Sequence, residues 1–251
     1  MDPHGQRAGP AEGLEGPWVV GAPDLRPAET TRGRITQRLR DEILMGDRRA
    51  GDRIDLDLVA AECGTSRTPV REACLALMGE GLVRVTPRSG VHVLGIGQRE
   101  ILDSFTLMAR LAGIAAEWAA ERASAEQLGR IADLESATAR AAADGGDLAE
   151  QNWRFHAEIN RACASPRLAA LLVDVGRMIP RSFFDLFPEH VPCSLAEHQD
   201  IVRALFRRDG PAARSATERH FDGAAGLLRS RLTPHDDAPG TPPGPTLGGT
   251  A

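Results

Sequence analysis

Three of the seven histidines in this 251-residue chain, His156, His198 and His220, fall on apolar stripes of separate predicted helices. His156 stands between Phe155 and Ile159, His198 precedes Ile201, Val202 and Leu205, and His220 lies one turn after Ala216 and one heptad before Leu227. Asn152, four residues before His156, projects from the same helical face. Burying a neutral imidazole without a partner costs ~1–3 kcal/mol. A divalent metal accepting three ring nitrogens would remove that cost. His4, His190 and His235 fall in tails or turns, and His92 near a strand, where no such pattern exists. A second constellation is the pair Arg67 and Arg71, at the leading end of a short helix whose apolar face is Val70, Ala73, Cys74, Leu77 and Met78. Side chains at a helix N-terminus are what a recognition helix presents to base edges, and arginine can bind guanine with two hydrogen bonds.

The elements around that pair follow from local signals. Ile35, Leu39 and Ile43 form a helical stripe from about Thr31 to Gly46, a good left-handed stop. Asp55 caps a helix over 56–62, Cys63 to Ser66 form a tight turn, and the arginine-bearing helix starts near Pro69 with Thr68 as its N-cap. Leu82–Val85 and Val91–Val93 read as strands around a wing tip containing Arg88, Ser89 and Gly90, close to phosphates or the minor groove. Residues 30–95 thus form a winged helix-turn-helix. From 96 to 232 the pattern is helical throughout: stripes at Ile101, Phe105, Met108, Ala112, Ala115 and Ala119, then Leu128, Ile131 and Leu134, then helices over 148–163, 166–184, 194–208 and 211–231. Ser124–Gln127 and Ser194–Glu197 read as capping boxes. The fold class is mainly α, a winged domain followed by an all-α six-helix bundle. Residues 1–29 and 233–251, rich in Gly and Pro without periodicity, are expected to be disordered.

Composition narrows the classes. The chain is acidic overall, at −5, yet 11 arginines face nine acidic residues over 31–94, leaving that segment weakly basic. A polyanion needs a local basic surface more than a basic protein. With 42% hydrophobic residues but only seven Phe, three Trp and no Tyr, the core must be built from Ala, Leu, Val and Ile. Cys63, Cys74, Cys163 and Cys193 are scattered and form no CxxC pair, which suits a reducing compartment. No apolar run reaches the ~20 residues of a membrane span, and no basic-then-apolar leader is visible, so a cytoplasmic location is expected.

Residues 31–94 resemble the DNA-binding domain of the GntR family of bacterial transcription regulators. The resemblance rests on Gly51-Asp52-Arg53-Ile54, on Ser66-Arg67-Thr68-Pro69-Val70-Arg71-Glu72-Ala73 across the turn, and on Gly81-Leu82-Val83 entering the wing. It implies that Arg67, Thr68 and Arg71 contact DNA and that Gly90 lets the wing backbone approach it. Further along, Asn152-Trp-Arg-Phe155-His156, Glu197-His198-Gln-Asp-Ile201 and Asp209-Gly-Pro-Ala212 leading to His220 resemble the FCD domain of the FadR-type branch. That likeness implies a homodimer, a small effector (commonly a carboxylate), and a divalent metal held by Asn152, His156, His198 and His220. Three imidazoles and an amide oxygen suit Zn, Ni, Co or Mn.

Two departures stand out. Many members carry Asp where this chain has Asn152, and Met108 occupies the position of an effector-binding arginine. Arg110, two residues on, points about 200° away. Arg110, Arg154, Arg177 or Arg181 would have to replace it, or the effector is not a simple carboxylate. The resulting expectation is a regulator rather than an enzyme, a repressor of a palindromic operator on double-stranded DNA, with no membrane partner. A metal-dependent hydrolase is the alternative, because three histidines and an open position can activate water. Its missing part is a general base: Glu158 is near His156 in sequence but on another face.

Overall fold

A computed structural model describes residues 30–86, 89–180 and 183–231. The extensions expected at 1–29 and 233–251, together with Arg88 and Arg181, lie outside these residues. The amino-terminal unit comprises α1 (Thr31–Leu44), β1 (Arg53–Ile54), α2 (Leu56–Glu62), α3 (Arg67–Gly79), β2 (Val83–Thr86) and β3 (Gly90–Val93). Its sheet is antiparallel in the order β1-β3-β2, with Arg53 opposite His92 and Val83 opposite Val93. Strand β1 was not expected; two residues carry too little alternation to register as a strand. Local chemistry sets the boundaries. The Thr30 hydroxyl accepts from the Gly33 N–H, the Asp55 carboxylate accepts from the N–H groups of Asp57 and Leu58, and Gly46 takes a positive φ of 79° after α1. Ile35, Leu39, Val59, Val70, Leu77, Val91 and Val93 close one apolar core.

The helical unit comprises α4 (Gln98–Arg122), α5 (Ala125–Asp144), α6 (Leu148–Ala162), α7 (Pro166–Gly176), the short α8 (Phe183–Leu186), a 3-10 turn at Pro188–His190, α9 (Val191–Phe206) and α10 (Gly210–Arg231). Small residues let α4 and α10 approach closely. A Cβ on Gly113 of α4 would sit 2.7 Å from Cγ of Glu218 on α10. The Ser124–Gln127 capping box forms as expected.

Three expectations are corrected. Helix α3 starts at Arg67, with Ser66 at the N-cap, so Pro69 is the third helical residue. Proline is tolerated there because its missing N–H would have no intrahelical partner in the first turn. Met78 lies 44% exposed rather than in the α3 core. The helix expected over 166–184 stops at Gly176, short of Pro180, which disfavours helical geometry in the residue before it.

The two units touch. The Arg40 guanidinium of α1 grips Glu80, at the end of α3, through bonds of 2.8 and 2.7 Å, both side chains being 7% exposed. Arg177, just beyond α7, approaches the same carboxylate at 3.6 Å. Leu44 of α1 packs in a cluster with Phe105, Phe183 and Phe187 of the bundle.

Candidate metal centre and nucleic-acid interface

At the leading tip of α3, Arg67, Thr68 and Arg71 are all exposed. Arg67 meets Asp57 at 3.1 Å, with both side chains more than 60% in solvent. Such a pair is worth little and leaves the guanidinium available to another partner. Gly90 opens β3 at a φ of 98°, a left-handed conformation that glycine adopts without strain, and a Cβ there would sit 3.3 Å from Nε of Arg53.

In the helical unit, α6, α9 and α10 bring His156, His198 and His220 together. One ring nitrogen of each lies within 4.8 Å of the others, and the ring centroids are 4.7–5.1 Å apart. Among the described residues, Nε2 of His156, both nitrogens of His198 and Oδ1 of Asn152 are buried without a hydrogen-bond partner. His220 differs: its Nδ1 donates to Glu197 Oε2 at 2.9 Å, which leaves the Nε2 lone pair free. A carboxylate behind an imidazole fixes its tautomer and strengthens it as a ligand. Burial, followed by the charge of His220, pushes the rings of His156 and His198 well below the ordinary histidine range. Burial alone would raise the Glu197 carboxyl. The hydrogen bond and charge of His220 outweigh it and hold that group below its ordinary value. Neutral rings with unused lone pairs are the donor set a borderline divalent cation takes, so the three histidines could hold one.

The centre opens on a cavity of about 1020 Å³ that runs to the amino-terminal unit, lined by Asn152, His156 and His220 at one end and by Arg40 and Glu80 at the other. Met108 and Arg177 line it, whereas Arg110 and Arg154 do not. Arg110 is drawn to Glu218 and Asp222 at 2.8 and 3.1 Å, and Arg154 to Glu150 one turn earlier. Of the four arginines expected to meet an effector, three lie among the described residues, and of these the structure brings only Arg177 to the cavity. Glu158 is buried and held by Arg130 and Arg161, so it is not the base a hydrolase would need.

Sequence reasoning missed Glu197, His190 and Ser194. Glu197 was expected to cap a helix at Ser194. Instead α9 begins three residues earlier, with Pro192 in its first turn, so Ser194 is interior and Glu197 turns to His220. His190 was assigned to a turn, yet it is 7% exposed and lines the cavity. The available signal was the four-residue spacing of His190, Ser194 and His198.

Two families match this arrangement. Residues 31–93 match "Bacterial regulatory proteins, gntR family" and residues 103–223 match "FCD domain". The chain belongs to the GntR family of transcription regulators. An uncharacterized HTH-type transcriptional regulator of Mycobacterium tuberculosis is 28% identical over 185 residues, covering 74% of this chain and 75% of its own. A probable D-xylose utilization operon transcriptional repressor of Paenarthrobacter nicotinovorans is 26% identical over 211 residues, 78% of this regulator and 90% of that one. In fold, the regulator resembles Escherichia coli McbR/YncC, with a TM-score of 0.65 and 19% identity over 81% of this chain and 99% of that one. Among the described residues, no helix is long and apolar enough to cross a membrane.

Proposed function

We propose that this regulator is a repressor whose hold on a palindromic operator is relieved by a small metabolite anchored at a metal in the helical domain. The observation that carries the reading is the continuity of one cavity, from the three-histidine cluster to the Arg40–Glu80 pair at the end of the DNA-reading helix. Asn152, His156, His198 and His220 would hold the ion, of the Zn, Ni, Co or Mn class. When bound, it would supply a Lewis-acidic anchor for an oxygen of the effector, commonly a carboxylate.

The residues of the chain do the rest. Arg67, Thr68 and Arg71 read bases or phosphates, with Arg88 and Gly90 at the wing. Arg177 can neutralise an anionic effector from the cavity wall, while it also touches Glu80. An effector that draws Arg177 towards itself weakens that contact between the units, and so favours one placement of the winged domain over another. In a homodimer, two recognition helices ~34–36 Å apart would meet successive major-groove faces. The repressor polarity rests on the D-xylose relative.

The test starts with DNA selected from a random pool by the wild-type protein. Arg67→Ala and Arg71→Ala, at fixed salt, should each cost ~1–3 kcal/mol of binding if the side chain reads a base. Unchanged affinity in the double variant defeats the reading.

A further inference from the structure

Two polar groups in the cavity wall have no part in the ion site. Ser194 Oγ and His190 Nε2 are buried without a hydrogen-bond partner among the described residues, at 1% and 7% residue exposure, and both line the cavity. They are placed in register with the centre. His190, Ser194 and His198 follow one another at four-residue steps, so they share one face of α9 and are separated by ~6 Å each along the axis. His190 sits at the N-cap of that helix, its ring set at 84° to that of Phe183 with centroids 6.1 Å apart. Burial holds its pKa below the ordinary value, so at neutral pH the ring is uncharged and offers one donor or acceptor. Phe105, Met108, Phe183 and Phe221 supply apolar wall to the same cavity.

Unpartnered buried hydroxyl and imidazole groups destabilise the protein that carries them. Their alignment on the face that leads away from His198 gives them a use. We propose that Ser194 and His190 form a hydroxyl-reading edge of the effector site, which selects a small acid bearing hydroxyl groups along its chain over its hydroxyl-free counterpart. From an acid oxygen seated at the three-histidine end, about four carbons set a hydroxyl at the ~6 Å of Ser194, and about six, with the length of a hydrogen bond added, reach His190 one step further along. The acid's hydroxyls meet Ser194 and then His190, while its CH face lies on the phenylalanines. The inference rests on the proposed effector site and adds what that site discriminates.

The experiment uses the full chain loaded with Zn or Ni, and measures binding by calorimetry and melting temperature. The probes are glycerate, threonate and gluconate, each paired with the unsubstituted acid of equal length: propionate, butyrate and hexanoate. Gluconate should bind about tenfold or more tighter than hexanoate, because a site built to hydrogen-bond a hydroxyl rejects the analogue lacking it. Glycerate, too short to reach Ser194, should show little advantage over propionate. Ser194→Ala and His190→Phe should each remove most of the gluconate advantage and leave hexanoate binding and metal stoichiometry unchanged. Ser194→Ala should also keep or raise the melting point without ligand, since it deletes an unpartnered hydroxyl; a merely structural serine would lower it. Equal binding within every pair, or an advantage untouched by both variants, overturns the proposal while leaving the metal site intact. Loss of metal binding and of all acids in the wild type would instead remove the effector site itself.

Discussion

Acid should loosen this protein through His156 and His198. Burial, and then the charge of His220, depresses both rings well below the ordinary histidine value. In the unfolded chain each would titrate near ~6.5. Below that point the unfolded state binds more protons than the folded one, so stability is full above ~6.5 and falls as pH drops towards the depressed folded values. Between pH 7.5 and 5.5 each histidine then removes on the order of 1 kcal/mol, and the pair roughly twice that. That is a large share of the ~5–15 kcal/mol typical of a domain. His190 is shifted in the same direction and adds to the slope. Glu197 acts only below the ordinary carboxylate range, since its pKa is lowered. The assay is urea unfolding of the metal-free protein at pH 7.5, 6.5 and 5.5 and constant ionic strength, repeated with His156→Leu and His198→Leu. Each substitution should remove on the order of 1 kcal/mol from the pH-dependent loss. A double variant that still loses as much stability as the wild type over this interval would refute the assignment.

Other outcomes follow from contacts elsewhere in the fold. Glu80→Gln should destabilise the winged unit by ~3–5 kcal/mol, because it leaves the buried Arg40 guanidinium without its charge partner, read as a lowered melting point. Arg177→Ala, at a 43% exposed side chain, should cost under ~1 kcal/mol of stability, yet alter how far an effector shifts DNA affinity in a titration of labelled operator. Chelation of a metal-loaded sample should lower the melting temperature, and added Zn or Ni should restore it in a concentration-dependent way. Gly113→Ala should destabilise by ~1–2 kcal/mol despite alanine's better helix propensity, since the new methyl meets Glu218 Cγ at 2.7 Å; a melting point at or above wild type would show that α4 and α10 separate freely.

The sequence by itself determined what depends on neighbours within a few residues. The Asp55 cap, the glycine stop at Gly46, the Ser124–Gln127 box and the stripe from Ile101 to Ala119 each follow from side chains that meet their own backbone or share one face. The winged helix-turn-helix and the succession of helices behind it were legible for that reason, as were three histidines on inward faces. Even there Pro69 misled by two residues, because a proline fits anywhere in a first turn.

Tertiary structure decided the partners. Each step along a helix turns a side chain by about 100°, so Arg110 goes to Glu218 and Asp222 while Met108, two residues earlier, faces the cavity. Ser194 and Glu197 have the letters of a cap, but a helix that begins at Val191 carries one into the interior and the other to His220, 23 residues away. No local pattern records which residue of α10 will stand opposite α9; only the packing of one helix on another fixes that distance.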